Sequence, residues 1–208
     1  MAVLYFIRHA ESEANSKRIL ASQLPFPLTE EGKREAELIA SQFREITGLD
    51  RIISSPLLRA VQTAEPFGRR YGLPVGQDIR LAEQHLGIFS GMTYDEVKSE
   101  PDYRQDPMDR WNWVPRGGGE SYEMIAQRVC NFLSEFNGDA GNNKNYLIVT
   151  HAVVFRLIRG ALENTLPGYP KAFPNNGEIW KVDFTGLGNK HAIESLFLGN
   201  SRDFTHNP

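Results

Sequence analysis

Short apolar runs rich in β-branched and aromatic residues alternate along this chain with stretches whose apolar positions recur every three or four residues. That alternation predicts an α/β fold. Val3 to Ile7 is the first run and ends at Arg8-His9. Thr29 with Glu30 and Glu31 then marks a helix start, since a hydroxyl caps free N–H groups and acidic side chains suit the positive end of the helix dipole. Ala36, Ile39, Ala40, Phe43 and Ile46 form its stripe, and Thr47-Gly48 ends it. Arg51 to Ser54 reads as the next strand. Ser55 is the expected cap and Pro56 the first helical residue of the next helix. Leu57, Ala60, Val61, Ala64 and Phe67 would be the buried stripe of that helix, with Arg59 off the stripe near its start.

A third helix begins near Ser121 and buries Ile125, Val129, Phe132 and Phe136. Tyr146 to Thr150 is a strand ending at His151, and a fourth helix runs on through Val154, Leu157, Ile158 and Ala161. Ile179 to Phe184 and His191 to Leu198 read as late, adjacent strands. The expectation is a single three-layer domain over residues 1–208, with a mostly parallel sheet flanked by helices. Residues 91–119 lack clear periodicity and read as a lid-like insertion, because long irregular stretches often serve function. Residues 200–208 read as a tail that either covers the site or is mobile.

Composition narrows the class. The chain has 208 residues, 40% hydrophobic and 24% charged, which suits one globular domain with a sizeable core. A net charge of −3 argues against bulk binding to nucleic acid or anionic membrane, so any anion bound is small and meets a local basic pocket. The single cysteine, Cys130, excludes an internal disulfide framework and a cysteine-rich metal site, and fits a reducing compartment. No apolar stretch reaches membrane-spanning length, and Val3 to Ile7 is too short for a signal-peptide core. A cytoplasmic enzyme is expected, and a homodimer is compatible with all of this.

Two histidines, His9 and His151, end apolar runs, and ligands of open α/β sheets bind beyond the carboxyl ends of strands. Either alone is more simply a hydrogen-bonded residue of the surface or core. Together with Arg8 and Arg59 they share one explanation, a phosphoryl group, whose oxygens suit planar, permanently charged guanidinium groups. Helix starts after Ser55 and His151 would add N–H donors. No carboxylate cluster suited to a metal accompanies them, so no cofactor is expected.

The motifs Arg8-His9-Ala10-Glu11-Ser12 with Asn15, Ser54-Ser55-Pro56-Leu57-Leu58-Arg59-Ala60, Leu81-Ala82-Glu83-Gln84-His85-Leu86-Gly87, Gly118-Gly119-Glu120-Ser121 and Val149-Thr150-His151-Ala152 resemble the ordered motifs of the histidine phosphatase superfamily, also called phosphoglycerate-mutase-like. The resemblance spans nearly the whole chain. It implies that His9 is a nucleophile forming phosphohistidine, that Arg8, Arg59 and His151 hold the transferring group, and that Glu83 is the proton donor. It makes a small phosphorylated metabolite the partner, with Asn15 as a neutral donor to phosphate or substrate.

Three departures stand out against the family pattern. Ala10 and Ala152 replace the glycines that usually follow each histidine, and Ser22 to Pro27 lacks the usual glycine and aspartate, which makes its contacts, Gln23 among them, particular to this chain. Substrate selection is then expected from Arg104, Arg110, Trp111, Trp113 and Arg116, a mix suited to a second anionic group or to stacking on a sugar, with the equal alternative that the tryptophans pin the loop to the body and the arginines are solvated. A phosphatase acting on a sugar phosphate or phosphoglycerate-like monoester is the expected function. The alternatives are a 2,3-bisphosphoglycerate-dependent phosphoglycerate mutase and a non-catalytic phosphate-binding or scaffolding module. The mutases of the family tend to be longer and typically carry arginine where this chain has Gln84.

Overall fold

A computed structural model describes residues 2–42, 48–139 and 142–199. Its sheet has six strands: β1 (Ala2–Arg8), β2 (Arg51–Ser54), β3 (Val75–Gln77), β4 (Asn145–Thr150), β5 (Ile179–Phe184) and β6 (Glu194–Phe197). The spatial order is β3-β2-β4-β1-β5-β6. β1 to β4 run parallel, whereas β5 lies antiparallel to β1 and β6 antiparallel to β5. The sheet is therefore mixed at one edge, and the two late strands are neighbours as the pattern predicted.

The helices are α1 (Glu13–Ser16), α2 (Glu30–Gln42), α3 (Leu58–Tyr71), α4 (Tyr94–Lys98), α5 (Tyr122–Ser134) and α6 (Ala152–Leu162). Both faces of the central strands are covered, which is why β1 and β4 read as unbroken apolar runs. Leu4, Phe6, Tyr146 and Ile148 face α5 and α6, packing with Ile125, Val129, Phe132, Val154 and Ile158. Their alternates Tyr5, Ile7, Leu147 and Val149 face α2 and α3, packing with Ile39, Ala40, Ala60, Ala64 and Phe67. Among the described residues no helix is long and apolar enough to cross a membrane.

Several boundaries differ from the sequence reading. The α2 stripe continues to Ala40, while Phe43, Ile46 and Thr47 lie outside the described residues, as does the tail 200–208. α3 starts two residues later than expected, with extended Leu57 as its cap residue and no side-chain cap. Ser55 does accept from Leu57 N at 3.2 Å, but its hydroxyl also serves the site described below. The segment 91–119 contains α4, capped by a Thr93–Glu96 capping box, and a single turn at Pro107–Asp109. Such short elements are too brief to show periodicity. The segment has its own apolar cluster, in which Phe89, Val97 and Tyr103 pack with Leu20 and Leu86 and against Trp113.

Gly32, in the first turn of α2, lets that helix lie against the loop after β1: an added Cβ would sit 2.1 Å from the Glu11 carbonyl oxygen. Overpacking against backbone typically costs about 1–3 kcal/mol. Gly32→Ala is therefore expected to lower the melting temperature by about 2–12 °C, using about 2–4 °C per kcal/mol for a domain of this size. An unchanged melting curve would mean that the helix is free to back away.

Candidate active site

Strand register assembles the site. Arg8 pairs with Thr150 and Ser54 with Val149, so the residues that follow, His9, His151 and Ser55, leave the sheet along one edge. His9 N donates to Thr150 O at 3.0 Å, and Ser55 N to Val149 O at 2.9 Å. The two imidazole rings are 5.1 Å apart, and both residues are buried. Thr150 Oγ1 donates to Leu81 O at 2.8 Å and ties β4 to the turn that carries Glu83.

His9 Nδ1 lies 2.8 Å from the Ala10 carbonyl oxygen. A carbonyl only accepts, so Nδ1 bears the proton and Nε2 keeps its lone pair. Arg59 Nε donates to that Nε2 at 3.3 Å, consistent with this tautomer. Burial first, then the positive charges of Arg59 and Arg8, hold the His9 imidazole well below the usual range, against the opposing pull of the Ala10 bond. His151 is depressed in the same way, by burial and then by Arg59, His9 and Arg8. Its Nε2 is 2.7 Å from Ser55 Oγ, while its Nδ1 has no hydrogen-bond partner among the described residues.

Arg59 is 2% exposed, so it does not project from the helix as its place on the wheel suggested. Its Nη1 donates to Leu24 O at 3.1 Å and its Nη2 to Ser22 O at 2.8 Å. Burial lowers its pKa to about 10, with Glu83 opposing and Arg8 adding, so it remains a cation at neutral pH. Arg8 Nη1 donates to Pro174 O at 2.5 Å. Glu83 accepts from Gln84 N at 2.9 Å and from Val153 N at 3.3 Å, the latter in the first turn of α6, where the helix dipole favours a carboxylate. Asn15 Oδ1 accepts from Ser12 N at 3.0 Å and Ser12 Oγ at 2.7 Å, as part of a capping box at the start of α1.

These groups meet at a cavity of about 870 Å³. Arg8, His9, Asn15, Arg59, Glu83 and Arg110 are in its wall, together with Ala152. His151 reaches the site through its ring contact with His9. The two alanines at glycine positions behave differently. Ala10 packs its methyl with Leu28 and Ala36, and Ala152 faces the cavity.

Five expected substrate contacts are placed elsewhere. Gln23 Nε2 donates to Glu83 O at 2.9 Å and braces the acidic loop from behind. Trp111 stacks on Tyr169 at 6.1 Å, and Trp113 packs on Phe89 and Tyr103 while donating Nε1 to Asp102 O at 3.1 Å. Arg116 pairs with Asp102 at 2.8 Å in solvent, and Arg104 borders a separate shallow depression with Trp113 and Val114. The tryptophans fix the segment to the body, which satisfies them without a ligand.

Sequence reasoning missed the supports. Ser22 holds a positive φ of 47°, and its hydroxyl donates to Gln84 O and accepts from Leu86 N, each at 2.9 Å. With its carbonyl on Arg59, Ser22 links the guanidinium to the Glu83 loop. Asn176 Nδ2 donates to His9 O at 2.9 Å. Glu120 receives Arg128 Nε at 3.0 Å and His85 N at 3.0 Å. Glu120 stands in the Gly118-Gly119-Glu120-Ser121 motif, and the family's usual glycine in the Ser22 stretch hinted at a positive φ there, but neither signal named the partners.

Fold and site together define an α/β protein with a histidine-centred anion pocket at the carboxyl edge of its sheet. The family model of the histidine phosphatase superfamily (branch 1) matches residues 4–193, and the chain belongs to that superfamily. It is 34% identical over 166 residues to a glucosyl-3-phosphoglycerate phosphatase of Mycolicibacterium vanbaalenii, covering 76% of this chain and 73% of the relative. It is 35% identical over 166 residues to phosphoserine phosphatase 1 of Hydrogenobacter thermophilus, covering 78% and 76%. Other matching relatives are named as phosphoglycerate mutases or mutase-like proteins. Among solved structures, a mycobacterial glucosyl-3-phosphoglycerate phosphatase complexed with VO3 superposes with a TM-score of 0.82 at 25% identity, covering 95% of this chain and 99% of that one. The expectation of a phosphoric monoester hydrolase of this superfamily is met.

The buried histidines make stability depend on pH with a definite sign. Below pH 6.5 the unfolded chain protonates both imidazoles while the folded state, with both depressed, does not. The unfolded state then binds more protons, so stability falls as pH drops below 6.5. The slope is up to about 1.4 kcal/mol per pH unit for each histidine. Denaturant titrations from pH 7.5 to 5 should show this loss, and His151→Gln should reduce its slope. A slope unaltered by that substitution would show that other groups carry it.

Proposed function

We propose that this protein hydrolyses small phosphomonoesters without a metal ion, by transferring the phosphoryl group to His9 Nε2. The observation that carries the reading is the His9 tautomer: Nδ1–H is anchored on the Ala10 carbonyl, and an unprotonated Nε2 accepts from Arg59, with the charges of Arg59 and Arg8 helping to keep the ring neutral. In the first step Nε2 attacks phosphorus, the ester P–O bond breaks, and the departing oxygen takes a proton from Glu83. In the second step Glu83 accepts a proton from water, the water oxygen attacks phosphorus, and the P–N bond breaks to release phosphate and neutral His9. Arg8 and Arg59 stabilise the charge that spreads over the equatorial oxygens, the main task in a loose phosphoryl-transfer transition state. Arg59 Nε must leave His9 Nε2 for a phosphoryl oxygen as substrate enters.

The relatives' names supply substrate candidates of one kind, glucosyl-3-phosphoglycerate and phosphoserine, both small phosphomonoesters. The segment 91–119 contributes Tyr94, Val97, Lys98, Tyr103, Gln105, Pro107 and Arg110 to the cavity wall, which supports its reading as the cover of the site. A cytoplasmic location fits the single cysteine. A mutase remains the second reading because mutase-named relatives match over most of the chain.

Phosphate release in EDTA from p-nitrophenyl phosphate, phosphoserine and 3-phosphoglycerate tests the proposal, with 2-phosphoglycerate followed in parallel. Net release is expected, and isomerisation without release would make the protein a mutase. His9→Ala should lose about a thousandfold or more in turnover, with an unchanged circular dichroism spectrum and no acid-labile phosphoenzyme. A fully active His9→Ala variant would remove His9 from the reaction. Glu83→Gln should slow alkyl phosphates far more than p-nitrophenyl phosphate, whose leaving group needs no proton. Equal losses on both would count against Glu83 as the acid.

A further inference from the structure

The Glu83 carboxyl takes its direction from the peptide that follows it. Its Oε1 accepts from Gln84 N at 2.9 Å, so the side chain folds back on its own main chain and goes where that N–H points. The other half of the same peptide is the Glu83 carbonyl, to which Gln23 Nε2 donates at 2.9 Å. A peptide is planar, so fixing its carbonyl also fixes its N–H. Gln23 Nε2 carries two hydrogens and also reaches Glu120 Oε2 at 3.4 Å, on a carboxylate that pairs with Arg128 at 3.0 Å.

The next two peptides are held as closely. Ser22 Oγ donates to Gln84 O and accepts from Leu86 N, each at 2.9 Å. Glu120 Oε2 accepts from His85 N at 3.0 Å, and Glu120 N donates to His85 O at 2.8 Å. Of the polar groups in these three peptides, the Gln84 N–H is turned to the Glu83 carboxyl, and Ser22, Gln23 and Glu120 take the rest. Ser22 holds the other side of the site as well, since its carbonyl accepts from Arg59 Nη2 at 2.8 Å. It does so at a φ of 47°, a left-handed conformation that glycine adopts without the strain a side chain brings. What serine adds is a hydroxyl, in a residue 3% exposed, bonded on both sides to the acidic loop. A glycine there would keep the carbonyl on Arg59 and lose both links to the loop.

We propose that Ser22 and Gln23 are positioning residues for Glu83: Gln23 sets the plane of the peptide that aims the carboxyl, and Ser22 keeps the acidic loop in register with Arg59. This rests on the phosphatase reading with Glu83 as the acid, and it makes proton delivery depend on two side chains that act through main-chain groups. A carboxyl displaced by about an ångström is still present but no longer meets the departing oxygen, and misplacement on that scale is costly in rate.

The leaving group separates this role from a merely structural one. The ratio kcat/KM covers the steps up to ester cleavage; in those steps p-nitrophenolate departs without a proton, whereas the benzyl alkoxide needs one. Gln23→Met, close to glutamine in size but lacking its hydrogens, should lower kcat/KM for benzyl phosphate about tenfold and for p-nitrophenyl phosphate less than about threefold, a part of the roughly 10²–10⁴ that a general acid supplies. Ser22→Gly should show the same selective loss, with Ser22→Ala as the second measurement at that position and thermal melts as the check on folding. Added to Glu83→Gln, either substitution should cost benzyl phosphate less than about twofold more, because the group being aimed is already gone. Equal losses on the two esters in a folded variant, or no loss on either, would overturn the role of that residue, as would a loss that persists in full on top of Glu83→Gln. Equal losses in Glu83→Gln itself would remove the acid, and this inference with it, while leaving the phosphatase reading in place. Release of phosphate from neither ester by the wild-type protein would overturn the phosphatase reading and everything that rests on it.

Discussion

Everything at this site depends on keeping a neutral imidazole next to buried guanidinium groups. Left to solvent, His9 would titrate near neutrality and spend part of its time as a cation useless for attack. Burial and the charges of Arg8 and Arg59 remove that option, and the Ala10 carbonyl decides which nitrogen keeps the proton. The arrangement needs the first residue past β1 to be close-packed on every side. Parallel pairing with β4, the Asn176 carboxamide on the His9 carbonyl, and α2 lying on the Glu11 backbone through Gly32 all serve that end.

The sheet supplies placement and the loops supply charge. β1, β4 and β2 are neighbours, so their following residues become neighbours without any long-range search. Glu83 is brought in by a turn hooked onto Thr150 and by the first turn of α6, an attachment to the same strand edge by two routes. A carboxyl group held this way moves with the histidines. Alignment of this kind matters most in a transfer where the protein contributes geometry and electrostatics more than bond-making partners.

Much of this was legible in the sequence because it lies on periodic elements. The apolar runs ending at Arg8 and Thr150 placed both histidines, and the strands β2 and β5 begin and end where their composition changes. What escaped lies where local pattern carries no signal. Arg59 falls on a wheel position that reads as exposed, yet the Ser22–Leu24 backbone folds over it. For Trp111 and Trp113 the sequence leaves ligand contact and loop pinning equally open, and only the fold decides, with Trp113 filling the segment's own apolar cluster and Trp111 stacked on Tyr169. Gln23 and Ser22 act through main-chain partners some 60 residues away, a relation no spacing rule encodes.

The two carbonyls that accept from Arg59 belong to Ser22 and Leu24, and a carbonyl is the same acceptor whatever side chain accompanies it. The guanidinium is therefore indifferent to the identity of most residues in that strip, provided the backbone keeps its course. A stretch so anchored can change composition, and with it whatever it presents to solvent or to an incoming molecule, while the buried arginine stays where it is. The departure of Ser22 to Pro27 from the family's usual residues is the kind of freedom this form of attachment permits.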